Sequence, residues 1–482
     1  MARATSLYVC QSCGAQTRQF FGRCTSCGNW NTLVEQRAAS TDTRRRRPVA
    51  AATEAEIPAA PRRSEPIASV GDRPLQRLCS GYSELDRVLG GGLVPGSLVL
   101  LGGDPGIGKS TLLLQSAQAM AARHSLLYVS AEESAQQVKL RWRRLAEQQG
   151  ELPALVEAES AGCGLQLLAE TDLELVLQEL EALRPAVAVI DSIQALHDAE
   201  LNSAPGSVTQ VRECAAALAR IAKRQNTALL LVGHVTKEGM LAGPKVLEHL
   251  VDAVLTFEGD RFASHRLLRA VKNRFGATHE LGVFEMRGQG LAEVLNPSEL
   301  FLGGDEPSAG TATIVACEGT RPLVVELQAL VSTTSYASPR RTATGIGTNR
   351  LHQILAVLEK HLGLPLSRFD CYLAVAGGLE VEEPAADLGV AAAVVASYRD
   401  LTLPPGTVLV GELGLGGQLR PVAQLEQRLQ EAVRLGFRRA VVPKGSGLGR
   451  LAAGLDLQLL EAGGVAEALV AALGVNPADD RA

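Results

Sequence analysis

Along the middle of the chain, short runs of consecutive apolar residues alternate with longer stretches of helical periodicity. Leu98 to Leu101, Leu126 to Val129, Val187 to Ile190, Ala228 to Val232 and Ala253 to Phe257 are such runs, and their alternation with helical segments predicts a mainly parallel sheet covered by helices. The stretch from Val208 to Arg224 is a representative crossover helix. There Val211, Cys214, Leu218 and Ile221 recur at helical spacing, while Arg212, Arg220, Lys223 and Arg224 face away, so one face is core and the other solvent. After the turn-rich stretch Gly303 to Gly310 a different pattern begins, with β-like runs such as Leu323 to Leu327, an Ala-rich helix near Leu388 to Tyr398 and loops over Gly411 to Gly417. This predicts a separate α+β domain. From Ser40 to Pro66 neither periodicity holds, and Ala, Pro, Thr and Arg dominate, including the run Arg44 to Arg47, as in a flexible linker.

The expected organisation is a small module over residues 1–37, a linker over 38–66, an α/β domain over 67–300 and an α+β domain over 301–482. A chain of 482 residues is too long for one hydrophobic core, so more than one domain is required. The formal net charge of −5 excludes a uniformly basic surface, and any nucleic-acid contact must rest on local positive patches. No apolar run reaches the roughly 18 residues of a membrane span, and the start of the chain lacks a secretory pattern. A cytoplasmic protein with no membrane partner is expected.

Four of the nine cysteines fall within the first 27 residues. Cys10, Cys13, Cys24 and Cys27 form two CxxC pairs ten residues apart, with Gly14 and Gly28 each following the second cysteine of a pair. Four thiolates at this spacing suit tetrahedral Zn2+, each pair forming a knuckle in which glycine relieves backbone crowding. A redox CxxC or an iron site uses similar residues. Two pairs beside Phe20, Phe21 and Trp30 on so short a module favour a structural zinc.

The segment GGDPGIGKST contains GxxxxGKS from Gly103 to Ser110, between the apolar run Leu98 to Leu101 and a helix starting near Lys109. This is a P-loop in the strand–loop–helix context that its chemistry needs. Gly103, Asp104, Pro105, Gly106, Ile107, Gly108, Lys109, Ser110 and Thr111 would cradle ATP: backbone N–H groups converge on the phosphates, Lys109 neutralises β- and γ-phosphate charge, and Ser110 ligates Mg2+. Asp191 ends the run Val187 to Ile190 and is the second Mg2+ candidate. Glu132 and Glu133 follow the run Leu126 to Val129, and one of them could orient the attacking water, though acids are also common at a helix start.

These parts, with the lead-in SGYSELDRVLGGGLVPGSLVLL, resemble the RecA and KaiC superfamily. Within it, the resemblance makes His234, which closes the strand Ala228 to Gly233, a γ-phosphate-sensing candidate; a structural histidine is the alternative. The cysteine pairs, the P-loop and the pentapeptide Lys272, Asn273, Arg274, Phe275, Gly276 come in the order shown by the RadA (Sms) family of bacterial recombination and repair ATPases, and the resemblance covers nearly the whole chain. It implies a RecA-like core, a hexameric ring, single-stranded and branched DNA as partners, recombination proteins such as RecA as further partners, and DNA branch migration as the activity. It also makes Lys272 and Arg274 candidates for reaching a neighbouring subunit's nucleotide. The stretch Val235 to His249, with Lys237, Gly239, Gly243 and Lys245, resembles the second DNA-binding loop of RecA proteins, and Lys237 and Lys245 are candidate phosphate contacts. Arg141, Arg143 and Arg144 read as a solvated helix face.

From about Gly345 to Ala472 the chain resembles the proteolytic domain of Lon. Where Lon carries its serine, this sequence reads Pro384, Ala385, Ala386, Asp387, and where Lon carries its lysine it has Glu426. Alanine offers no nucleophilic oxygen, and a glutamate cannot replace a desolvated amine base, so a noncatalytic scaffold is expected. Two other readings remain at this point, a KaiC-like signalling ATPase with protein partners and an ATP-dependent protease.

Overall fold

The computed structural model describes residues 6–10, 15–17, 19, 21–25, 27–30, 32–37, 76–149, 164–234, 244–259, 264–303, 308–336, 338–446 and 455–474. The chain divides into two compact units, 1–278 with 284–293, and 279–283 with 294–482.

The first unit opens with a three-stranded antiparallel sheet of β1 (Ser6–Cys10), β2 (Gln16–Thr17) and β3 (Leu33–Arg37), in the order β2-β1-β3. Its main sheet comprises β4 (Leu98–Gly103), β5 (Ser125–Ser130), β6 (Gly164–Ala169), β7 (Val187–Asp191), β8 (Ala228–His234), β9 (Ala253–Glu258), β10 (His265–Asn273), β11 (Leu281–Arg287) and β12 (Gly290–Glu293). The strand order is β12-β11-β10-β9-β4-β8-β7-β5-β6. From β9 to β6 all pairings are parallel, and β10 returns antiparallel to β9.

Both faces of this sheet are covered, which is why its strands are apolar at successive positions instead of alternating with polar ones. Val99, Leu101, Val187, Val189 and Leu230 enter the core on one face, while Leu98, Leu100, Ala188, Ile190, Leu229 and Leu231 enter the core on the other. Helices α1 (Ser83–Leu89), α2 (Lys109–Ala121) and α3 (Ala135–Gln149) precede and connect the first strands, and α4 (Leu173–Leu183) and α5 (Val208–Gln225) complete the later crossovers. Helix α5 begins where the Ser207 side chain accepts the Gln210 N–H and ends at Asn226 in the left-handed region, a capped start and a tolerated stop. Its Val211, Cys214, Leu218 and Ile221 are buried, as their spacing predicts. A short helix α6 (Pro244–Leu247) precedes β9.

The second unit carries a seven-stranded mixed sheet. Its strands are β13 (Thr311–Glu318), β14 (Arg321–Thr333), β15 (Arg341–Thr344), β16 (Phe369–Val375), β17 (Thr407–Leu409), β20 (Arg439–Pro443) and β21 (Gln458–Ala462); β18 (Glu412–Leu413) and β19 (Leu419–Arg420) form a separate hairpin. Helices α7 (Thr348–Leu362), α8 (Asp387–Arg399), α9 (Leu425–Arg434) and α10 (Val465–Leu473) accompany it. Helix α8 is buried from Asp387 to Ala396, as a helix apolar on all sides must be. Gly389 lets it lie directly on β13, since a Cβ there would meet Ile314 Cγ2 at 2.0 Å.

Candidate nucleotide site and metal-binding ribbon

The P-loop leaves the carboxyl end of β4, the strand flanked on its two sides by β8 and β9. Gly103, Gly106 and Gly108 have φ of 150°, 77° and 114°, backbone conformations that favour glycine. At Gly103 space forbids a side chain as well, because a Cβ would meet the Phe257 carbonyl oxygen at 2.5 Å. The loop therefore turns its backbone back over the strand end, and α2 starts at Lys109, so the first N–H groups of the helix face the loop's concavity.

Lys109 is buried, and its ammonium donates to the carbonyls of Gly103 at 2.8 Å and Asp104 at 2.9 Å. Burial lowers its pKa, and the carboxylates of Asp191, Glu132 and Asp104 oppose that shift. Three negative groups thus act on one cation at the carboxyl edge of the sheet.

Asp191 closes β7 and is 8% exposed. The Tyr128 hydroxyl, from the adjacent strand β5, donates to Asp191 Oδ2 at 2.6 Å. Burial drives the Tyr128 phenol well above its usual pKa, and the neighbouring Asp191 carboxylate adds to the shift, so the phenol remains a donor.

The two glutamates after β5 have different partners. Glu133 forms an ion pair with Arg141 of α3, and its backbone is held by Ser130. Glu132 turns to the sheet edge instead. Its Oε1 accepts from Ser192 Oγ at 2.5 Å and lies 3.1 Å from His234 Nε2 at the end of β8. The His234 hydrogen bond, with Ser192 and the charge of Lys109, brings the Glu132 carboxyl down to about 2, against some loss of solvation. His234 Nδ1 is buried with no hydrogen-bond partner among the described residues.

Sequence reasoning missed Tyr128, Ser192 and Arg266. Tyr128 sits inside an apolar run, and its hydroxyl was the available signal. Arg266 on β10 is buried, donates to the P-loop carbonyl of Ile107 at 3.3 Å and to the His265 carbonyl at 2.8 Å, and nothing local distinguishes it in sequence.

Lys272 to Gly276 lies elsewhere. Because β10 runs antiparallel to β9, Asn273 pairs with Ala253, opposite the amino end of β4. That is the far edge of the sheet, about five strand residues or roughly 16 Å from the P-loop of the same chain. Lys272 donates to the carbonyls of Glu248 and Val251. Arg274 pairs at 2.9 Å with Asp252, whose other oxygen accepts the Leu98 N–H at 3.0 Å. Asn273 donates to the Val88 carbonyl, and Gly276 abuts Gly90, where a Cβ on either would meet the other's Cα at 2.9 Å. Of the lysines expected to contact DNA, Lys245 falls in α6 and Lys237 lies outside the described residues.

In the N-terminal sheet the sulfurs of Cys10, Cys24 and Cys27 all lie within 4.8 Å of one another, and Cys10 Sγ is 3.6 Å from Cys27 Sγ. Two thiolates on one tetrahedral zinc stand about 3.8 Å apart, so this cluster fits the ion. Cys13 lies outside the described residues. Gly28, at φ 76°, returns its N–H to the Cys24 carbonyl, the knuckle turn that the CxxCG spacing predicts.

Three family models match: an AAA domain over residues 75–240, a rubredoxin metal binding domain over 8–35, and subunit ChlI of Mg-chelatase over 350–446. The DNA repair protein RadA of Synechocystis sp. is 57% identical, covering 99% of this chain and 96% of the relative. The chain belongs to the RadA family. RadA of Bacillus subtilis is 46% identical over 98% of this chain and all of the relative, and that of Haemophilus influenzae 47% over 92% and 94%. A crystal structure of the RadB recombinase aligns with 45% of this chain and 99% of its own length at 24% identity, with a TM-score of 0.36. In RadA-family terms the chain combines a zinc ribbon, a RecA-like P-loop ATPase core and a Lon- or ChlI-like domain. Among the described residues no helix is long and apolar enough to cross a membrane.

In the last of these domains Ala385 and Ala386 are buried in the turn that leads into α8, and Glu426 is exposed on α9. The following residue, Asp387, is buried and takes both a bidentate Arg350 guanidinium and the Leu413 N–H.

Proposed function

We propose that this protein is a Mg2+- and ATP-dependent ring motor, a hexamer, that binds single-stranded DNA and drives branch migration of recombination intermediates during repair. The observation that carries this reading is the junction of Glu132, Ser192 and His234 at the end of β8, immediately before the segment that contains Lys237. His234, which carries the hydrogen bond to the Glu132 carboxylate, and the lysine-bearing segment are thereby consecutive along one backbone. Rearrangement of His234 on hydrolysis then moves the segment that holds the strand.

In this reading Lys109 neutralises the phosphates, Ser110 and Asp191 hold Mg2+, and Glu132 orients the attacking water, Glu133 being committed to Arg141. Lys237 and Lys245 contact DNA phosphates. The distance of Lys272 and Arg274 from their own P-loop supports a role toward another subunit's nucleotide, where an added positive charge stabilises the transition state. ATP and Mg2+ are the cofactors of the core, Zn2+ that of the ribbon, and RecA-type recombination proteins are partners. The Lon-like domain serves as a noncatalytic scaffold, because its turn offers alanines where a nucleophile is needed.

ATP turnover and three-strand branch migration, measured for Lys109→Ala and Lys272→Ala beside the unmodified protein, test this assignment. Both variants are expected to lose both activities. Hydrolysis that survives intact in Lys272→Ala contradicts the role across subunits.

A further inference from the structure

The zinc ribbon exposes two of its rings. Aromatic residues are 4% of the chain, with two tryptophans, yet Trp30 is 70% exposed and Phe21 40%. A ring that large left in water forgoes its burial energy, so one held exposed beside a cation is a candidate contact surface. Metal–thiolate bonds supply the folding energy of so small a module, which frees its rings from serving as core.

Trp30 is also held in place. It forms an antiparallel bridge with Arg23, whose guanidinium lies 5.9 Å from the indole centroid and donates through Nε to the Gly28 carbonyl at 2.7 Å. The ring, the cation and the second cysteine knuckle therefore form one rigid patch. Charge points to the ligand: through Arg47 the chain carries eight arginines against two acids, Glu35 and Asp42, while the whole chain is at −5. A positive segment bearing an exposed ring with a guanidinium beside it has the chemistry of a platform for unpaired bases, in which rings stack on bases and arginines follow the phosphates. An acidic protein surface would use the arginines but leave the indole unexplained.

We propose that Trp30, with Arg23, is a stacking site for single-stranded DNA that operates independently of the ATP-linked segment. This rests on the DNA-binding reading above and deepens it by assigning the ribbon a ligand.

The test uses the full chain carrying Trp142→Phe, in which Trp30 is the remaining tryptophan. A 5′-labelled oligo-dT is titrated without nucleotide, and label anisotropy and Trp30 emission are read together. Saturable quenching of Trp30 that follows the anisotropy is expected, persisting in a Lys237→Ala/Lys245→Ala background. Trp30→Ala should weaken nucleotide-free binding by about fivefold or more. Trp30→Phe should restore most of that binding at unchanged zinc content, which separates stacking from ribbon folding. Oligonucleotide binding with no change in Trp30 emission, or equal quenching by a fully paired duplex, overturns the stacking site while leaving the motor intact. Absence of any binding overturns both.

Discussion

The hydroxyl of Tyr128 and the carboxylate of Asp191 meet at 2.6 Å across two neighbouring strands, both side chains out of solvent. The phenol engages Oδ2 of Asp191, so in the proposed role the carboxylate is oriented before any metal arrives. A hydrogen bond to a charged group is worth about 1.5–3 kcal/mol. Tyr128→Phe keeps the ring in the core and removes this bond alone. The Mg2+ concentration for half-maximal MgADP binding should rise roughly tenfold, with the melting temperature in EDTA little changed; an unaltered Mg2+ dependence contradicts the role.

Glu132 presents the complementary case. Its pKa of about 2 follows first from the His234 hydrogen bond, so in the native enzyme it is ionised well below neutral pH. In His234→Ala the carboxyl should return toward its usual 4.5, and the acid limb of the kcat profile should move up in pH. The same shift contributes to stability. A depressed carboxylate stabilises the fold above its unfolded pKa, and this contribution is lost as pH falls from about 4.5 toward 2. Because the Glu132 side chain is nearly half exposed, solvent screening leaves the effect below about 1 kcal/mol. A variant whose acid limb coincides with the parent's refutes the assignment of Glu132.

What was readable in the sequence, and what was not, divides along physical lines. Apolar runs that must be covered on both faces gave the strands, and the glycines of the P-loop were legible because their conformations exclude other residues. The choice between Glu132 and Glu133 was not legible. It depends on Arg141, eight residues beyond Glu133 on α3, and on Ser192 and His234, which arrive at the ends of two other strands through sheet register. The placement of Lys272 at the far edge follows from the antiparallel return of β10, a tertiary fact with no local signal.

In the second unit, the buried Asp387 pairs with the partly exposed Arg350 beside the turn where Lon has its nucleophile. Burial raises the Asp387 pKa, while Arg350 and the Leu413 N–H pull it down. Removing the guanidinium strands a buried charge, so Arg350→Ala should destabilise this unit by about 3 kcal/mol at pH 7. A carboxyl whose folded pKa lies above its unfolded one disfavours the fold as pH rises, so the variant should regain stability as pH is lowered, and Arg350→Ala/Asp387→Asn should recover much of the loss at pH 7. Denaturant titrations at pH 5 and 7 measure both. An Arg350→Ala variant as stable as the parent at pH 7 shows that the pair is dispensable.

The proposed motor couples ATP breakdown at Lys109 to a strand held by the segment after His234. ATP turnover in Mg2+, measured with and without saturating single-stranded DNA at low ionic strength, tests that coupling most directly. Several-fold stimulation by DNA in the native chain, with turnover abolished in Lys109→Ala, is the predicted result; turnover that single-stranded DNA leaves unchanged contradicts it.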